Sequence, residues 1–160
     1  MKLITRSATF VAVAFVCCVS SAQETEIVRR DVPPPVLAAF DKAYSSAKVL
    51  EWEKEIHGGK LYYEAETVDS KVPRNILFLP DGTVAQVAEK IAPKGLPAPV
   101  TDAVKRQYPN ATIRSAMKVT HADVVEYGLA LSGGNQKRVV ISGDGTVAST
   151  EGKTALERNQ

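Results

Sequence analysis

The chain has 160 residues, with Lys+Arg at 20, Asp+Glu at 18 and a hydrophobic fraction of 44%. Its first 22 residues read as an export leader, and removing Lys2 and Arg6 with them leaves 18 charges of each sign. A neutral, ordinarily apolar chain of this length excludes a nucleic-acid-coating protein, a long acidic tail and wholesale disorder, and it holds one ordinary domain or two very small ones.

The leader comes first in chain order. Lys2 and Arg6 form a positive start, Ala8 to Val19 an apolar run, and Ser20, Ser21 and Ala22 put small residues before a cut ahead of Gln23. The run is too short for a transmembrane helix, which needs about 20 residues. No other stretch comes close, so no membrane insertion is expected after cleavage. Cys17 and Cys18 leave with the leader, and Val16 before Cys17 is not the small residue a lipidation signal needs. The mature chain then has no cysteine, which excludes thiol catalysis, disulfides and cysteine-type zinc sites. The expected home is the periplasm or the exterior.

The rest of the chain carries one pattern twice. A shift of 64 puts Pro33 on Pro97, Val36 on Val100, Ala39 on Ala103, Tyr44 on Tyr108, Ala47 on Ala111, His57 on His121 and Tyr63 on Tyr127. With a one-residue deletion, Asp81-Gly82-Thr83-Val84-Ala85 falls on Asp144-Gly145-Thr146-Val147-Ala148. Residues 32–92 and 96–150 are read as the two copies, with 151–160 as a tail. Pro33, Pro34 and Pro35 suit a first helical turn. Val36, Ala39, Phe40 and Tyr44 then predict a helix running to Ser45. Strands are expected over 47–56, 60–68, 74–79 and 83–91, punctuated by His57-Gly58-Gly59 and by Pro80-Asp81-Gly82. The second copy predicts a helix over 96–108 and strands over 111–119, 123–131, 136–142 and 146–150. Pro93 to Pro99 is a stiff linker. The expected fold is α+β: a tandem repeat of a helix plus a four-stranded antiparallel sheet, joined into one curved sheet with both helices on one side.

This arrangement resembles the PepSY-like family, also described as beta-lactamase-inhibitor-like, over roughly residues 32 to 150. The resemblance rests on Val32-Pro33, Val36, Ala39-Phe40, Tyr44, Val49, Trp52-Glu53, Tyr62-Tyr63-Glu64-Ala65-Glu66, Phe78 and Asp81-Gly82. The second copy repeats it through Leu96-Pro97, Val100, Ala103-Val104, Tyr108-Pro109-Asn110-Ala111, Tyr127 and Asp144-Gly145. It departs at Ala116, where the first copy has Trp52, and at Gly128, where the first has Glu64. The resemblance implies a bacterial, secreted, non-catalytic protein that binds another protein.

Few residues invite chemistry. His57 and His121 occupy equivalent turns without a ligand-spaced cluster, and both are expected to be solvated. No nucleophile-elbow pattern is present. Gly133-Gly134-Asn135 opens no helix and reads as a hairpin turn rather than a phosphate loop. No catalytic residue, metal or cofactor is therefore assigned. Trp52 fits either the core or a partner-binding anchor. The informative feature is alternation. Glu51, Glu53 and Glu55 share one face of their strand, and Tyr62, Glu64 and Glu66 share one face of the next. Toward the helix the same strands turn Leu50, Trp52, Ile56, Leu61, Tyr63 and Ala65. In the second copy Ile113, Met117 and Val119 stand where the first has Val49, Glu53 and Glu55, so either that strand buries its other face or its exposed face is apolar. Glu51, Glu53, Tyr62, Glu64 and Glu66 are the candidate partner-binding residues, for a protein partner and not a nucleic acid. A structural or self-associating envelope protein is the competing reading, and a small hydrolase ranks last. The sequence names neither the partner nor the oligomeric state.

Overall fold

A computed structural model describes residues 23–133 and 137–151 of the chain. The leader, the tip of the Gly133-Gly134-Asn135 turn and the tail beyond Glu151 lie outside the described residues. The strands are β1 (Gln23–Ile27), β2 (Lys48–His57), β3 (Lys60–Asp69), β4 (Val72–Phe78), β5 (Val84–Ile91), β6 (Thr112–His121), β7 (Val124–Ser132), β8 (Lys137–Ser142) and β9 (Val147–Ser149). They form one open antiparallel sheet in chain order, with no crossover. Helix α1 (Pro34–Ala43) lies between β1 and β2, and α2 (Ala98–Gln107) between β5 and β6.

Each helix starts on the prolines expected of a first turn and stops sooner than its apolar spacing suggests. Tyr44 and Tyr108 have left the helical region, and their N–H groups donate to the carbonyls of Phe40 and Val104, each at 2.8 Å. Strand β1 is a correction: among the described residues nine strands stand where eight were expected. Gln23 to Ile27 forms an edge along β2, with Ile27 opposite Trp52.

Register places both helices on the same side. Trp52, Ala65, Ile76 and Val87 are cross-strand neighbours from β2 to β5, and Ile91, of the same parity as Val87, continues through Ala116, Leu129 and Val139. Val36 and Phe40 of α1 pack on the first group. Val100, Ala103 and Val104 of α2 pack on the second. Trp52 is 4% exposed, with the Phe40 ring edge-on at 5.2 Å, so it fills the core and is no surface anchor. Leu50 departs from its expected place. It sits in a bulge between Val49 and Glu51 and is 43% exposed rather than turned toward the helix.

The two halves share a frame at a spacing of 64. Ile27 pairs with Trp52 as Ile91 pairs with Ala116, and Glu26 with Glu53 as Lys90 with Met117. The bulge between Val49 and Glu51 recurs between Ile113 and Ser115. What differs is how the space under each helix is filled. Trp52 faces Ala65 in the first half, while Ala116 faces Leu129 in the second. The larger residue sits on β2 in the first half and on β7 in the second, where it is also smaller.

Gly82 and Gly145 hold corresponding turns against the helix starts. Both have positive φ, of 88° and 90°. A Cβ on Gly82 would lie 2.5 Å from the Pro35 carbonyl oxygen, and one on Gly145 would lie 2.6 Å from that of Pro99. Gly82→Ala and Gly145→Ala should each lower stability by about 1–3 kcal/mol. Gly59→Ala should cost less, because its Cβ would meet nothing within 4 Å. Urea unfolding of the three variants checks the ranking.

Candidate functional site: a carboxylate face of the sheet

The face opposite the helices is fixed by the first hairpin. His57 pairs with Lys60 across Gly58 and Gly59, both at positive φ, so the turn has two residues and its register is set. Glu55 then stands opposite Tyr62, Glu53 opposite Glu64 and Glu51 opposite Glu66. Slipping by one residue would move all of them beneath α1. Strand β1 adds Glu26 beside Glu53 and Glu24 beside Glu55. On the other flank Glu64 meets Leu77, and Leu77 meets Gln86.

The five candidate residues therefore share one face, at different depths. Glu51, Glu53, Glu64 and Glu66 are half-buried, and Glu24 and Glu26 are exposed. Tyr62 is only 2% exposed and packs with Leu77, Leu79 and Ala85, so it underlies the face rather than projecting from it. Glu55 is buried as well, against the His57 Nε2. The Asn75 amide donates to Glu64. Among the described residues, no Lys or Arg nitrogen comes within 4 Å of Glu24, Glu26, Glu51, Glu53, Glu64 or Glu66. On the helix side of the sheet, across β4 and β5, Arg74 does pair with Glu89 at 2.6 Å.

Like charges directly opposite one another, half out of water, hold their protons. Burial and then the carboxylates of Glu64, Glu51, Glu66 and Glu24 push Glu53 up to about 7. Burial, then the neighbouring Glu55, pushes Glu64 well above the usual glutamate range, although the Asn75 amide opposes this. Burial also raises Glu55, and burial with Glu26 and Glu66 raises Glu51.

The histidines are not solvated turn residues. His57 is held by Glu55 with its ring tilted against that of Tyr62 at 5.8 Å, and His121 Nδ1 lies 2.6 Å from the Ala85 carbonyl oxygen. The second half answers the question left by Ile113, Met117 and Val119. Met117 and Val119 lie on the same face as the carboxylates, since Val119 connects through Ala88 and Asn75 to Glu66. Sequence reasoning missed Glu24 and Glu26, although Gln-Glu-Thr-Glu-Ile alternates as a strand does. It also missed Asn75 and Gln86, whose place depends on the later hairpins. One carboxylate oxygen each from Glu53, Glu64 and Glu66 lie within 4.8 Å of one another, a spacing that would suit a cation. Three such ligands fall short of the six to eight that calcium takes, leaving water to complete a shell. Among the described residues no helix is long and apolar enough to cross a membrane.

No family model and no curated protein matches the chain. Solved structures do. A DUF2874 family protein from Bacteroides uniformis superposes with a TM-score of 0.63 at 16% identity, over 73% of this chain and 86% of its own. A protein assigned to the periplasm of Bacteroides eggerthii gives 0.63 at 17% identity, over 78% and 94%. A BLIP-like protein from Bacteroides fragilis gives 0.58 at 18% identity, over 72% and 82%. The likeness is one of fold, and it includes the BLIP-like fold.

The raised carboxyls have a measurable consequence. Each binds its proton more tightly in the folded chain than in the unfolded one. Between the ordinary glutamate range and about 7, the value for Glu53, the folded state therefore holds more protons, and stability falls as pH rises through that window. Thermal unfolding midpoints should be higher near about pH 5.5 than near about pH 8. Glu53→Gln should raise the midpoint at the higher pH and narrow the difference. A midpoint that rises with pH across this window contradicts the assignment.

Proposed function

We propose that this chain is an exported, non-enzymatic module of the periplasm or exterior that binds a protein partner on the sheet face opposite its helices. The observation that carries this reading is the division of labour in the sheet. Both helices take one face, and the other presents Glu51, Glu53, Glu64 and Glu66 side by side. A rigid sheet holds such a surface without the ordering cost of a mobile loop. The leader pattern and a periplasmic neighbour of the same fold support the compartment. The BLIP-like neighbour supports a binding rather than a catalytic role. The matched registers and the paired glycine turns support reading the chain as two PepSY-like copies over 32–92 and 96–150, after a leader over 1–22. Tyr62 contributes from below, by holding the face in place.

Photo-crosslinkers placed singly at position 53 and at Asp41 on α1 test the reading in exporting cells. A heterologous adduct from position 53 and none from position 41 is the expected result. Adducts only between copies of this chain, or only from the helix side, would overturn it. Processing after Ala22 should appear in the mass of the exported protein, and retention of the leader would remove the compartment assignment.

A further inference from the structure

We propose that β1 is a cap: it holds the place along β2 that the C-terminal strand of a second copy of this chain, residues 147–154, would otherwise take. The sheet's own register carries this. β1 and β5 are one strand of the repeat, met twice. Gln23 pairs with Ile56, Glu24 with Glu55 and Ile27 with Trp52, and 64 positions on Val87 pairs with Thr120, Ala88 with Val119 and Ile91 with Ala116. Each strand then passes through one 3-10 turn, Arg29–Asp31 or Pro93–Gly95, into its helix. β9 is the same strand a third time. Phe78 pairs with Val84 and Leu77 with Gln86, and 63 positions on Ile141 pairs with Val147 and Val140 with Ser149, with the register shifting at the same point in both.

Of these three strands β5 alone has a neighbour on each side. It gives one edge to β4 and the other to β6. β9 gives β8 the edge that β5 gives β4, and β1 gives β2 the edge that β5 gives β6. The two ends of the sheet are therefore complementary. If β1 leaves, β2 lacks what the free edge of β9 offers. Such a contact joins unlike surfaces head to tail, and adds copies in a row rather than closing a dimer. Repeats stacked in this way need a terminal cap, and an open sheet needs its edge covered.

The sequence supplies the missing length. β5 runs over eight residues, Val84–Ile91, and β9 over three, Val147–Ser149. Thr150-Glu151-Gly152-Lys153-Thr154 follow, and Thr154 is the counterpart of Ile91. Residues 152–154 lie outside the described residues. Carried over from β5 and β6, the register sets Gly152 opposite Lys54 of the next copy, Lys153 opposite Glu53 and Thr154 opposite Trp52.

The two occupants of the place differ in kind. β1 sets Glu26 against Glu53, a like charge, where the incoming strand brings Lys153. Next to it Glu24 and Glu151 are alike. On the helix side β1 brings Ile27, which packs on the Trp52 cluster, where the incoming strand has only Thr154. β1 also belongs to the same chain, so it competes at an effective concentration on the order of millimolar. Ile27 and the tether keep β1 in place, and the intact chain does not add copies through this edge. Loosening β1 opens the place to the second copy.

The test uses the chain from Gln23 onward and reads its average mass by sedimentation. The parent should remain a single copy from about 5 to about 200 μM. Glu24→Pro with Thr25→Pro should loosen β1, because one of two adjacent residues turns its N–H toward β2 and proline has none. The average mass of that variant should rise about twofold or more over the same range. Adding Gly152→Pro with Lys153→Pro should return it to a single copy, and adding Lys153→Glu instead should weaken the association about fivefold. In mixtures of the loosened chain, copies carrying Gly152→Cys should cross-link on oxidation to copies carrying Lys54→Cys and not to copies carrying Asp102→Cys. Trp52 emission reports whether each variant is folded. Where the proline pair unfolds the chain, Ile27→Ala loosens β1 in its place. Equal association by the parent, no association by either loosened variant, or association that the prolines at 152 and 153 leave intact overturns the proposal.

Discussion

A meandering sheet with no crossover and both helices on one side has two unlike faces, and register alone decides which residue belongs to which. In this chain the register of the first half is held by the two-residue turn at Gly58 and Gly59 and by the bulge at Val49 and Glu51. The turn demands positive φ twice, which glycine accepts without strain. The bulge absorbs Leu50 at the surface and so keeps Trp52, two residues later, beneath α1. Without these two devices the carboxylates of β2 and β3 would compete with Trp52 and Ala65 for the helix side.

The helix side and the open side have obeyed different constraints. Under the helices the two halves differ in size but both stay apolar: Trp52 and Ala65 against Ala116 and Leu129, Phe40 against Val104, Phe78 against Ile141. Each half has to be close-packed within itself, because an interior penalises both gaps and crowding. On the open face one pair has exchanged strands, Glu55 and Tyr62 against Val119 and Glu126, but the row beside it has changed in kind. Glu26, Glu53 and Glu64 stand where the second half has Lys90, Met117 and Gly128. Charge, size and polarity all change at once, which a packed layer would not tolerate. The open face is thus where a chain with this frame can acquire a function without rebuilding its core.

Much of this was legible from residues alone. Alternation put Glu51, Glu53, Glu64 and Glu66 on one face, and the Asp-Gly steps marked the turns that Gly82 and Gly145 make. Strand β1 was not legible, because it holds one apolar residue, Ile27, and its pairing depends on Trp52 far along the chain. Leu50 was misplaced because a bulge breaks strict alternation without a signal in composition. Tyr62 was placed on the right face but at the wrong depth, since its burial comes from Leu77, Leu79 and Ala85, later in the chain. His121 was read as solvated for the same reason: Ala85, which meets it, lies 36 positions away.

The central claim is that the carboxylate face is carried against the stability of the fold and not for it. Grafting two residues of the second half onto the first, Glu26→Lys with Glu53→Met, tests this most directly, with urea unfolding near about pH 8 and near about pH 5.5 as the readout. The expected result is a variant more stable than the parent by about 1 kcal/mol or more at the higher pH. The gain should shrink at the lower pH, where the parent's carboxyls hold their protons. A variant less stable than the parent at both values would mean that the glutamates support the sheet, and would contradict the claim.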